Sequence, residues 1–508
     1  MINTFLKRIF PFALQLLAGV AVPLSMAPFD WHVPVFAALA IFLYGLEGQP
    51  LKRSFVLGLC FGLGLFGVGA SWIFVSIYLY GNTVPAVAVT ITALFVLILS
   101  LFPALTALIL NALSPRLKLS RSLLIFPSLW VGMEWVRGTL FTGFPWAYIG
   151  YSQFNMHLSQ FAPLGSIWAV SFATALMAAL LYELITYFRN PHRKWIQAIP
   201  VFSLIILVWG SAVYLKGKNW VLAIDPPLDV ALVQGNIEQS MKWDAGLANQ
   251  ILQTYYQLTQ SHYDVNLIIW PETAVPWPKA LAKDFLELLH REAQVHGVGL
   301  ITGLPEEATH HNQYYNAIIA LGLSQGEYRK QHLVPFGEYV PLEKWLRGLI
   351  GFFNLPMSSF ISGPINQPPI QMGKFKIAPT ICYEIAYPEL VRNQAKDADI
   401  LLTISNDAWF GTSLGPHQHL QIAQFRALET GKFLLRATNT GWTALINPEG
   451  YISEQIERFQ PGVLRGTVRA TVGETPWMTY GPRPVFYFIG LWFIFGLVHQ
   501  IWLKIQRR

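Results

Sequence analysis

The sequence has few charged residues and only two cysteines. Charged residues make up 12% of its 508 residues and hydrophobic residues 53%, whereas soluble domains average about 25% charged residues. This shortage of charge argues against an ordinary soluble protein and favours a membrane protein. The two cysteines, Cys60 and Cys382, provide no disulfide framework. Cys60 stands in an apolar run, where a thiol serves as a small apolar filler, so Cys382 is the cysteine whose position needs explaining.

Acidic residues are scarcest in the first part of the chain. Residues 1–219 contain four acids and 13 Lys and Arg, a net charge of +9, while residues 220–483 carry −5 and residues 484–508 carry +3. The basic charge therefore accompanies the apolar segments. The sequence shows no basic stripe with a nucleic-acid-binding motif, so we expect no nucleic-acid partner.

Apolar stretches near the length of a membrane span, roughly 20 residues, recur along the chain. The first follows Lys7 and Arg8 as in a signal peptide, but no convincing small-residue cleavage site comes after it, so we expect it to be retained. Glu134 and Arg137 fall within the fifth stretch, where they form either a functional intramembrane pair or an anchor at a helix end. We predict eight spans, at 9–28, 32–48, 54–79, 84–110, 123–140, 163–187, 197–215 and 485–503.

The basic residues of the connecting segments predict the orientation of these spans. If the ends alternate from a cytoplasmic N-terminus, the inside segments hold 13 Lys and Arg, and the outside loops near 29–31, 80–83 and 141–162 hold none. Cytoplasmic loops carry this excess of positive charge. We therefore expect a membrane domain at 1–219, an extracytoplasmic domain at 220–483, and a last span with a cytoplasmic tail at 484–508.

The polar region alternates short apolar runs with amphipathic segments, the pattern of an α/β domain whose sheets are covered by helices. Helices are predicted near 245–262, 280–296, 386–396 and 416–430. Strands are predicted at 229–236, 265–272, 297–303, 315–322, 375–384, 399–407, 433–439 and 442–448.

Three residues with reactive side chains follow predicted strands, where ligands commonly bind in α/β domains. Glu272 follows the second strand, Lys330 follows the fourth and Cys382 ends the fifth. A thiol is mostly protonated near neutral pH and needs a base or a cation to become a nucleophile. Glu272 could take its proton, and Lys330 could stabilise a thiolate and an oxyanion. Taken singly, the same residues also fit a turn glutamate, a solvated lysine and a buried filler.

His417 and His419 suggest a metal site at first sight. Their spacing of two residues does not place them on one face of a helix, and no third ligand is evident. We therefore expect no metal and no cofactor. The segment "NDAWFG" (406–411) is expected to be a loop that shapes a pocket near Cys382.

Three segments, "IIWPETAVP", "YRKQHLVPFGEYVP" and "ICYEIAYPE", resemble the signature regions of the nitrilase superfamily, which has an αββα sandwich fold. "LVQGNIEQSMKWD", "GMEWVRGTLFTGFPWAYIGYSQ" and "ISNDAWFGTSLGPHQHLQIAQFRALETGKFLLRATNTG" further resemble the bacterial apolipoprotein N-acyltransferases, which combine eight spans with an external nitrilase-like domain. The sequence departs from that family at Pro482, where an acidic residue is expected after Gly481. This departure concerns local loop contacts.

The resemblance implies an acyl transfer in two halves. Cys382 would take an acyl chain from a membrane phospholipid as a thioester, and the α-amine of a lipoprotein's N-terminal diacylglyceryl-cysteine would then accept it. Glu272 would act as general base and acid, Lys330 would hold the oxyanion, and Glu338 would orient Lys330. The resemblance also assigns substrate handling to Trp243, Tyr383 and Glu384, and it places the enzyme in a bacterial inner membrane with its catalytic domain facing the periplasm.

Two apolar segments could assist a lipid substrate. The stretch at 346–360 is either a lid that dips into the membrane interface or a buried helix. The aromatic residues of "GFPWAY" (143–148) either guide a headgroup or anchor a span.

Two other functions remain open from the sequence. A membrane-tethered nitrilase-type amidase would use the same three residues and transfer the acyl group to water. A transporter or receptor would only bind ligand in the external domain, and Cys382 could then be replaced without loss of function.

Overall fold

The computed structural model describes residues 2–81, 83–113, 121–189, 198–242, 244, 246–309, 313–339 and 359–506. The chain forms two compact units. The helical unit comprises Met1–Ile73, Val89–Asn219 and Thr479–Arg508, and the α/β unit comprises Phe74–Ala88 and Trp220–Met478. Residues 74–88, which the sequence places in the membrane domain, thus group with the α/β unit.

Runs of Leu, Ala, Val and Phe make the helices of the helical unit apolar around most of their circumference. Gly19 and Gly64 allow two of these helices to approach closely, since a Cβ atom at Gly19 would stand 2.0 Å from the Phe61 carbonyl oxygen. Small residues serve this purpose at helix interfaces in membranes. The main helices are Ile2–Ala21, Pro34–Gly45, Leu51–Gly69, Pro85–Leu113, Phe126–Thr139, Ala162–Phe188, Ile199–Lys216 and Arg483–Ile505.

Among the described residues, six helical segments are long and apolar enough to cross a membrane, which makes this a membrane protein. Two predicted spans, 32–48 and 123–140, contain the shorter helices Pro34–Gly45 and Phe126–Thr139. A helix of 12 residues rises only about 18 Å, less than the roughly 30 Å of a bilayer core. The structure therefore supports six spans by length, and the count of eight remains a prediction.

Glu134 and Arg137 are buried and hold the loop that follows their helix. Arg137 Nη1 donates hydrogen bonds to the carbonyl oxygens of Phe144 at 2.7 Å and Trp146 at 2.5 Å. Glu134 Oε1 accepts one from the Ile149 N–H at 2.8 Å. These contacts satisfy backbone groups that would otherwise be unpaired in an apolar surrounding.

The α/β unit contains two sheets. In chain order the strands are β1 Leu222–Gln234, β2 Leu267–Ile269, β3 Gly299–Glu307, β4 Tyr314–Gly322, β5 Ser324–Gln325, β6 Glu327–Arg329, β7 Ile370–Met372, β8 Phe375–Ile381, β9 Ile400–Ser405, β10 Leu434–Thr438, β11 Thr443–Ile446, β12 Ile452–Ile456 and β13 Gly462–Val472. The first sheet has strand order β13-β1-β2-β3-β4-β6, and the second has β12-β11-β10-β9-β8-β7-β5.

Alternation along the strands explains why the two sheets pack face to face. In β1, Val230 and Leu232 join one apolar cluster with Ile377 of the other sheet. Ala231 and Val233 point the opposite way, into a cluster shared with helices. Burial of each large aliphatic side chain contributes roughly 1.5–3 kcal/mol. Helices Ala248–Thr259 and Lys283–Val295 cover the first sheet, and helix Pro388–Ala395 packs on β8 of the second.

The eight predicted strands and four predicted helices of this unit are all present, with shorter bounds in most cases. The sequence analysis missed β5, β6, β7, β12 and β13. β5, β6 and β7 have only two or three residues, and β12 is largely exposed. β13 is longer, but its buried and exposed residues are mixed, so none of the five has a continuous apolar run.

Parallel pairing brings several chain segments to one edge of the sheets. Strands β1, β2 and β3 are parallel neighbours in the first sheet, and β8, β9 and β10 are parallel neighbours in the second. Ile381 is paired with Ile404, and Thr438 with Ser405. The residues that follow these strands therefore meet at one edge.

Candidate active site

Glu272, Lys330 and Glu338 form a buried charged cluster. Lys330 Nζ lies 2.9 Å from Glu338 Oε1 and 3.6 Å from Glu272 Oε1. The three residues are 1–5% exposed. The structure thus brings these three predicted residues together and gives Glu338 the contact with Lys330 that the resemblance implies.

Asn316, in β4, joins the two carboxylates. Its Nδ2 donates to Glu272 Oε1 at 2.8 Å and to Glu338 Oε1 at 2.9 Å. The Asn406 N–H donates to the other Glu272 oxygen at 2.8 Å. The sequence placed Asn406 only within the segment 406–411 that was expected to shape the pocket near Cys382, and it gave no role to Asn316. A buried asparagine within a strand is unfavourable for strand formation, and that signal could have drawn attention to Asn316.

The turn that carries Glu272 requires a glycine on the neighbouring strand. A Cβ atom at Gly303 would stand 2.8 Å from the Thr273 nitrogen and 2.9 Å from the Glu272 Cα. Such distances are too short for non-bonded atoms, so only glycine at 303 leaves room for this turn.

Cys382 follows β8 and opens a short helical turn, Cys382–Ala386. Its φ is +53°, a left-handed conformation that costs a non-glycine residue about 1–2 kcal/mol. Strain of this kind is found where surrounding contacts fix a functional residue.

Glu384 provides part of this fixation. Its carboxylate accepts hydrogen bonds from the N–H groups of Ile381 at 2.7 Å, Gln331 at 2.6 Å and His332 at 3.1 Å. It therefore ties the turn of Cys382 to the segment that follows Lys330. Burial raises the pKa of Glu384 to about 7, against the opposing influence of Lys330 and these N–H groups. The contacts favour a positioning role over direct contact with substrate.

His419 supports the turn from a second side. Its Nε2 lies 3.1 Å from the Cys382 carbonyl oxygen, and its Nδ1 lies 3.0 Å from Asp407 Oδ1. Arg436 donates to Asp407 Oδ2 at 2.7 Å. His417, two residues before His419, instead has its Nε2 3.3 Å from Arg458 Nη1. The two histidines thus have separate partners, and sequence reasoning missed the role of His419.

Of three other predicted site elements, the structure describes Tyr383 in full. Tyr383 is buried, and its ring packs edge-on against Tyr387 at 5.2 Å. Trp243 and the greater part of the segment 346–360, residues 346–358, lie outside the described residues.

The charges of the cluster act on Cys382 in opposite directions. Burial and the Glu272 carboxylate raise the pKa of the thiol, while Lys330 lowers it. The net pKa is raised, so the thiol carries its proton at neutral pH and needs a base. Burial alone would lower the pKa of Lys330, but the carboxylates of Glu338 and Glu272 outweigh burial and raise it. Lys330 therefore stays an ammonium group that can stabilise negative charge.

Comparison with known proteins shows which family the chain belongs to. The sequence model described as carbon-nitrogen hydrolase matches residues 229–476, and the one described as apolipoprotein N-acyltransferase N-terminal domain matches residues 18–180. The protein named apolipoprotein N-acyltransferase from Azotobacter vinelandii is 44% identical over 93% of this chain and 92% of its own. The chain belongs to the apolipoprotein N-acyltransferase family.

A second sequence relative agrees with this assignment. The Pseudomonas aeruginosa protein of the same name is 43% identical and covers 97% of both chains. Among solved structures, Nit3 of Saccharomyces cerevisiae, a member of the nitrilase superfamily, covers 50% of this chain and 92% of its own with 17% identity and a TM-score of 0.37. At that TM-score the structural similarity adds nothing to the family assignment.

Proposed function

We propose that the protein transfers a fatty acyl chain from a membrane phospholipid to the α-amine of an apolipoprotein's N-terminal diacylglyceryl-cysteine, through a thioester on Cys382. Membership of the acyltransferase family supports this function. The observation that carries the assignment of residues is the buried cluster, in which Lys330 lies within 4 Å of two carboxylates and acts with Glu272 on the thiol of Cys382.

In the first half-reaction, Glu272 takes the proton of the Cys382 thiol, and the thiolate attacks the ester carbonyl of the phospholipid. The carbonyl oxygen becomes an oxyanion, which the Lys330 ammonium stabilises. The carbon–oxygen bond of the ester then breaks. Glu272 returns its proton to the departing alkoxide, which leaves as lysophospholipid.

In the second half-reaction, the free α-amine of the acceptor attacks the thioester carbonyl. Glu272 accepts a proton from the amine, and Lys330 again stabilises the oxyanion. The carbon–sulfur bond breaks as the amide forms, and the thiolate regains a proton from Glu272. Each half therefore uses one base that later acts as an acid.

Glu338 and Asn316 prepare this cluster for both halves. Glu338 binds Lys330 on one side, and its other oxygen accepts from the Val334 N–H at 2.8 Å. Asn316 fixes the orientation of both carboxylates, so neither has to reorganise during the reaction. Trp243 and Tyr383 are proposed to contact substrate, and Glu384 to position Cys382.

The proposed location is a bacterial inner membrane, with the α/β unit in the periplasm and both termini in the cytoplasm. The charge pattern supports eight spans over six. With only the six long helices as spans, Lys52 and Arg53 would lie outside, against the excess of positive charge in cytoplasmic loops. With eight, these two residues lie inside.

Intact-protein mass spectrometry tests the function directly. Detergent-purified protein is incubated with a defined phospholipid, beside the Cys382→Ala variant. We expect a fatty-acyl mass increment that needs Cys382 and disappears when a diacylglyceryl peptide with a free amine is added. An increment that decays in water without acceptor would indicate a hydrolase. No increment in folded protein would contradict the role of Cys382 as acyl carrier.

A further inference from the structure

A second lysine, Lys242, lies beside the charged cluster. It belongs to the segment that follows β1, and its Nζ donates a hydrogen bond to the main-chain oxygen of Glu272 at 2.7 Å. Lys242 is 2% exposed, which is rare for a lysine without a specific partner. It thus contacts the residue proposed as the base through the backbone, while the Glu272 side chain faces Asn316 and Asn406.

The charges of the cluster do not balance without Lys242. Glu272 and Glu338 are two carboxylates that share one ammonium group, Lys330. A buried excess of negative charge opposes the formation of a thiolate nearby. With Lys242 protonated the four groups sum to zero charge. The sum over these four groups and Cys382 stays at zero when a proton moves from Cys382 to Glu272, because that transfer only relocates the negative charge.

In the part of the chain that the structure describes, the other charged groups around Cys382 have partners of their own. Asp407 is paired with Arg436 at 2.7 Å and contacts His419. Glu384 accepts hydrogen bonds from several main-chain N–H groups. On the segment of Lys242 itself, Glu238 and Asp244 are exposed to solvent. Lys242 is therefore the group placed to compensate the second carboxylate.

We infer that Lys242 is the second cation of the active site: it holds the backbone of Glu272 and balances the second carboxylate, so that the Cys382 thiolate forms at a lower pH. Lys242 acts through Glu272 and through its charge, as a positioning residue. This inference rests on the proposed function of Cys382 as the nucleophile.

The titration of Lys242 defines the pH range in which this effect operates. Burial lowers the pKa of Lys242 to about 8, although the charges of Glu272 and Cys382 oppose the shift. At neutral pH most of the lysine is charged, and its charge is lost as the pH rises through about 8. The contribution of Lys242 to acylation is therefore greatest below pH 8 and fades above it.

Two variants separate the charge of Lys242 from its shape. Lys242→Gln can keep a hydrogen bond to the Glu272 carbonyl and loses the charge, whereas Lys242→Arg keeps the charge. The rate constant of acyl-enzyme formation with phosphatidylethanolamine in detergent is measured by intact-protein mass spectrometry from pH 5.5 to 9.5, for both variants and the wild type. Thermal melting checks that each variant is folded.

We expect Lys242→Gln to form the acyl-enzyme about tenfold more slowly than the wild type at pH 7. A tenfold loss corresponds to a rise of about one unit in the pKa of the Cys382 thiol. The deficit should shrink above pH 8, and Lys242→Arg should keep the wild-type profile. Because convergence at high pH requires an intact site, misfolding cannot imitate this result.

Three results would overturn the inference. Lys242→Gln could follow the wild-type profile at every pH, or it could be slowed by one constant factor together with Lys242→Arg, or it could show no acylation at any pH. The last two would mean a structural role. If the wild type itself forms no acyl-enzyme on Cys382, the assignment of the nucleophile fails, and the inference about Lys242 fails with it.

Discussion

His419 Nε2 lies 3.1 Å from the main-chain carbonyl oxygen of Cys382, the residue proposed as nucleophile. Cys382 has a φ of +53°, so its turn depends on such contacts to stay in a strained conformation. The imidazole Nδ1 lies 3.0 Å from Asp407 Oδ1 and 3.2 Å from Arg436 Nη2, so this pair also holds the ring in place. The proposed nucleophile is thus held in place through its backbone.

Loss of the His419 ring should therefore slow the acylation of Cys382. We expect His419→Ala to lower the rate at least tenfold, or about 1.4 kcal/mol in the barrier, because the thiol is no longer held in its attacking position. His419→Gln, which can still donate a hydrogen bond, should lose less. The measurement is single-turnover acyl-enzyme formation. His417→Ala on the same helix is the matched control and should keep nearly the wild-type rate; equal losses in the two alanine variants would refute the positioning role.

The raised pKa of Glu384 predicts that its contribution to the stability of the protein falls as pH rises from acidic to neutral values. Its pKa in the folded protein is about 7, above the value of about 4.3 in an unfolded chain. The folded state therefore binds more protons than the unfolded state between these values, so the contribution of this group to stability falls as pH rises through that window. The loss is on the order of 3 kcal/mol across the whole window.

Comparison of wild type with Glu384→Gln isolates this contribution, because the glutamine does not titrate. The variant should be less stable than the wild type at pH 5. In the wild type the two carboxyl oxygens of Glu384 accept hydrogen bonds from main-chain N–H groups, whereas in the variant the NH2 group of the glutamine would face one of these donors. The difference in melting temperature between the two proteins should narrow from pH 5 to pH 8. A constant difference over this range would show that Glu384 does not titrate there.

Lys330 should matter for stability as well as for activity. Without the Lys330 ammonium group, the carboxylates of Glu272 and Glu338 stay buried close together, joined by Asn316. Removal of one partner of a buried ion pair lowers the free energy of unfolding by about 3–5 kcal/mol. We expect Lys330→Met to lower the melting temperature and to abolish acyl-enzyme formation. The double variant Lys330→Met/Glu338→Gln should recover stability, because one uncompensated charge is gone, without recovering activity. Recovery of activity in the double variant would exclude Lys330 as the oxyanion-binding group.

The sequence indicated the proposed reacting groups because each follows a predicted strand. Glu272 and Cys382 come after β2 and β8, which have parallel neighbours in their sheets. Lys330 was placed after the strand observed as β4, which is antiparallel to β3, and its chain returns to the same edge through the short strand β6, which the sequence did not predict. The resemblance to known families added Glu338, whose contact with Lys330 is a local one, eight residues along the chain.

The supporting residues could not be found in the same way. Asn316 lies within β4, Lys242 in a turn, and His419 on a helix, so their contacts with the reacting groups depend on tertiary packing across 22 or more residues. Apart from the unfavourable asparagine within a strand at Asn316, no local pattern distinguishes them from solvated polar residues. Strand β12 was missed because its exposed polar side chains carry no apolar periodicity.

Whether the short helix Pro34–Gly45 spans the membrane can be decided by labelling two engineered cysteines from outside the cell. Trp31→Cys and Pro50→Cys, both at exposed positions, flank helix Pro34–Gly45 and are made in a background without Cys60 and Cys382. If this short helix spans the membrane, as the eight-span prediction requires, a membrane-impermeant maleimide should label Cys at position 31 and not at position 50 in intact spheroplasts. Position 50 should then react only after the cells are permeabilised.

The six-span alternative gives a different pattern. A helix of 12 residues that returned to the side from which it entered would leave both positions outside, and both would be labelled without permeabilisation. Labelling at position 31 serves as the control for folding and reagent access in each preparation. The eight-span arrangement is expected because it keeps Lys52 and Arg53, directly after position 50, on the cytoplasmic side; labelling of position 50 from outside would refute it.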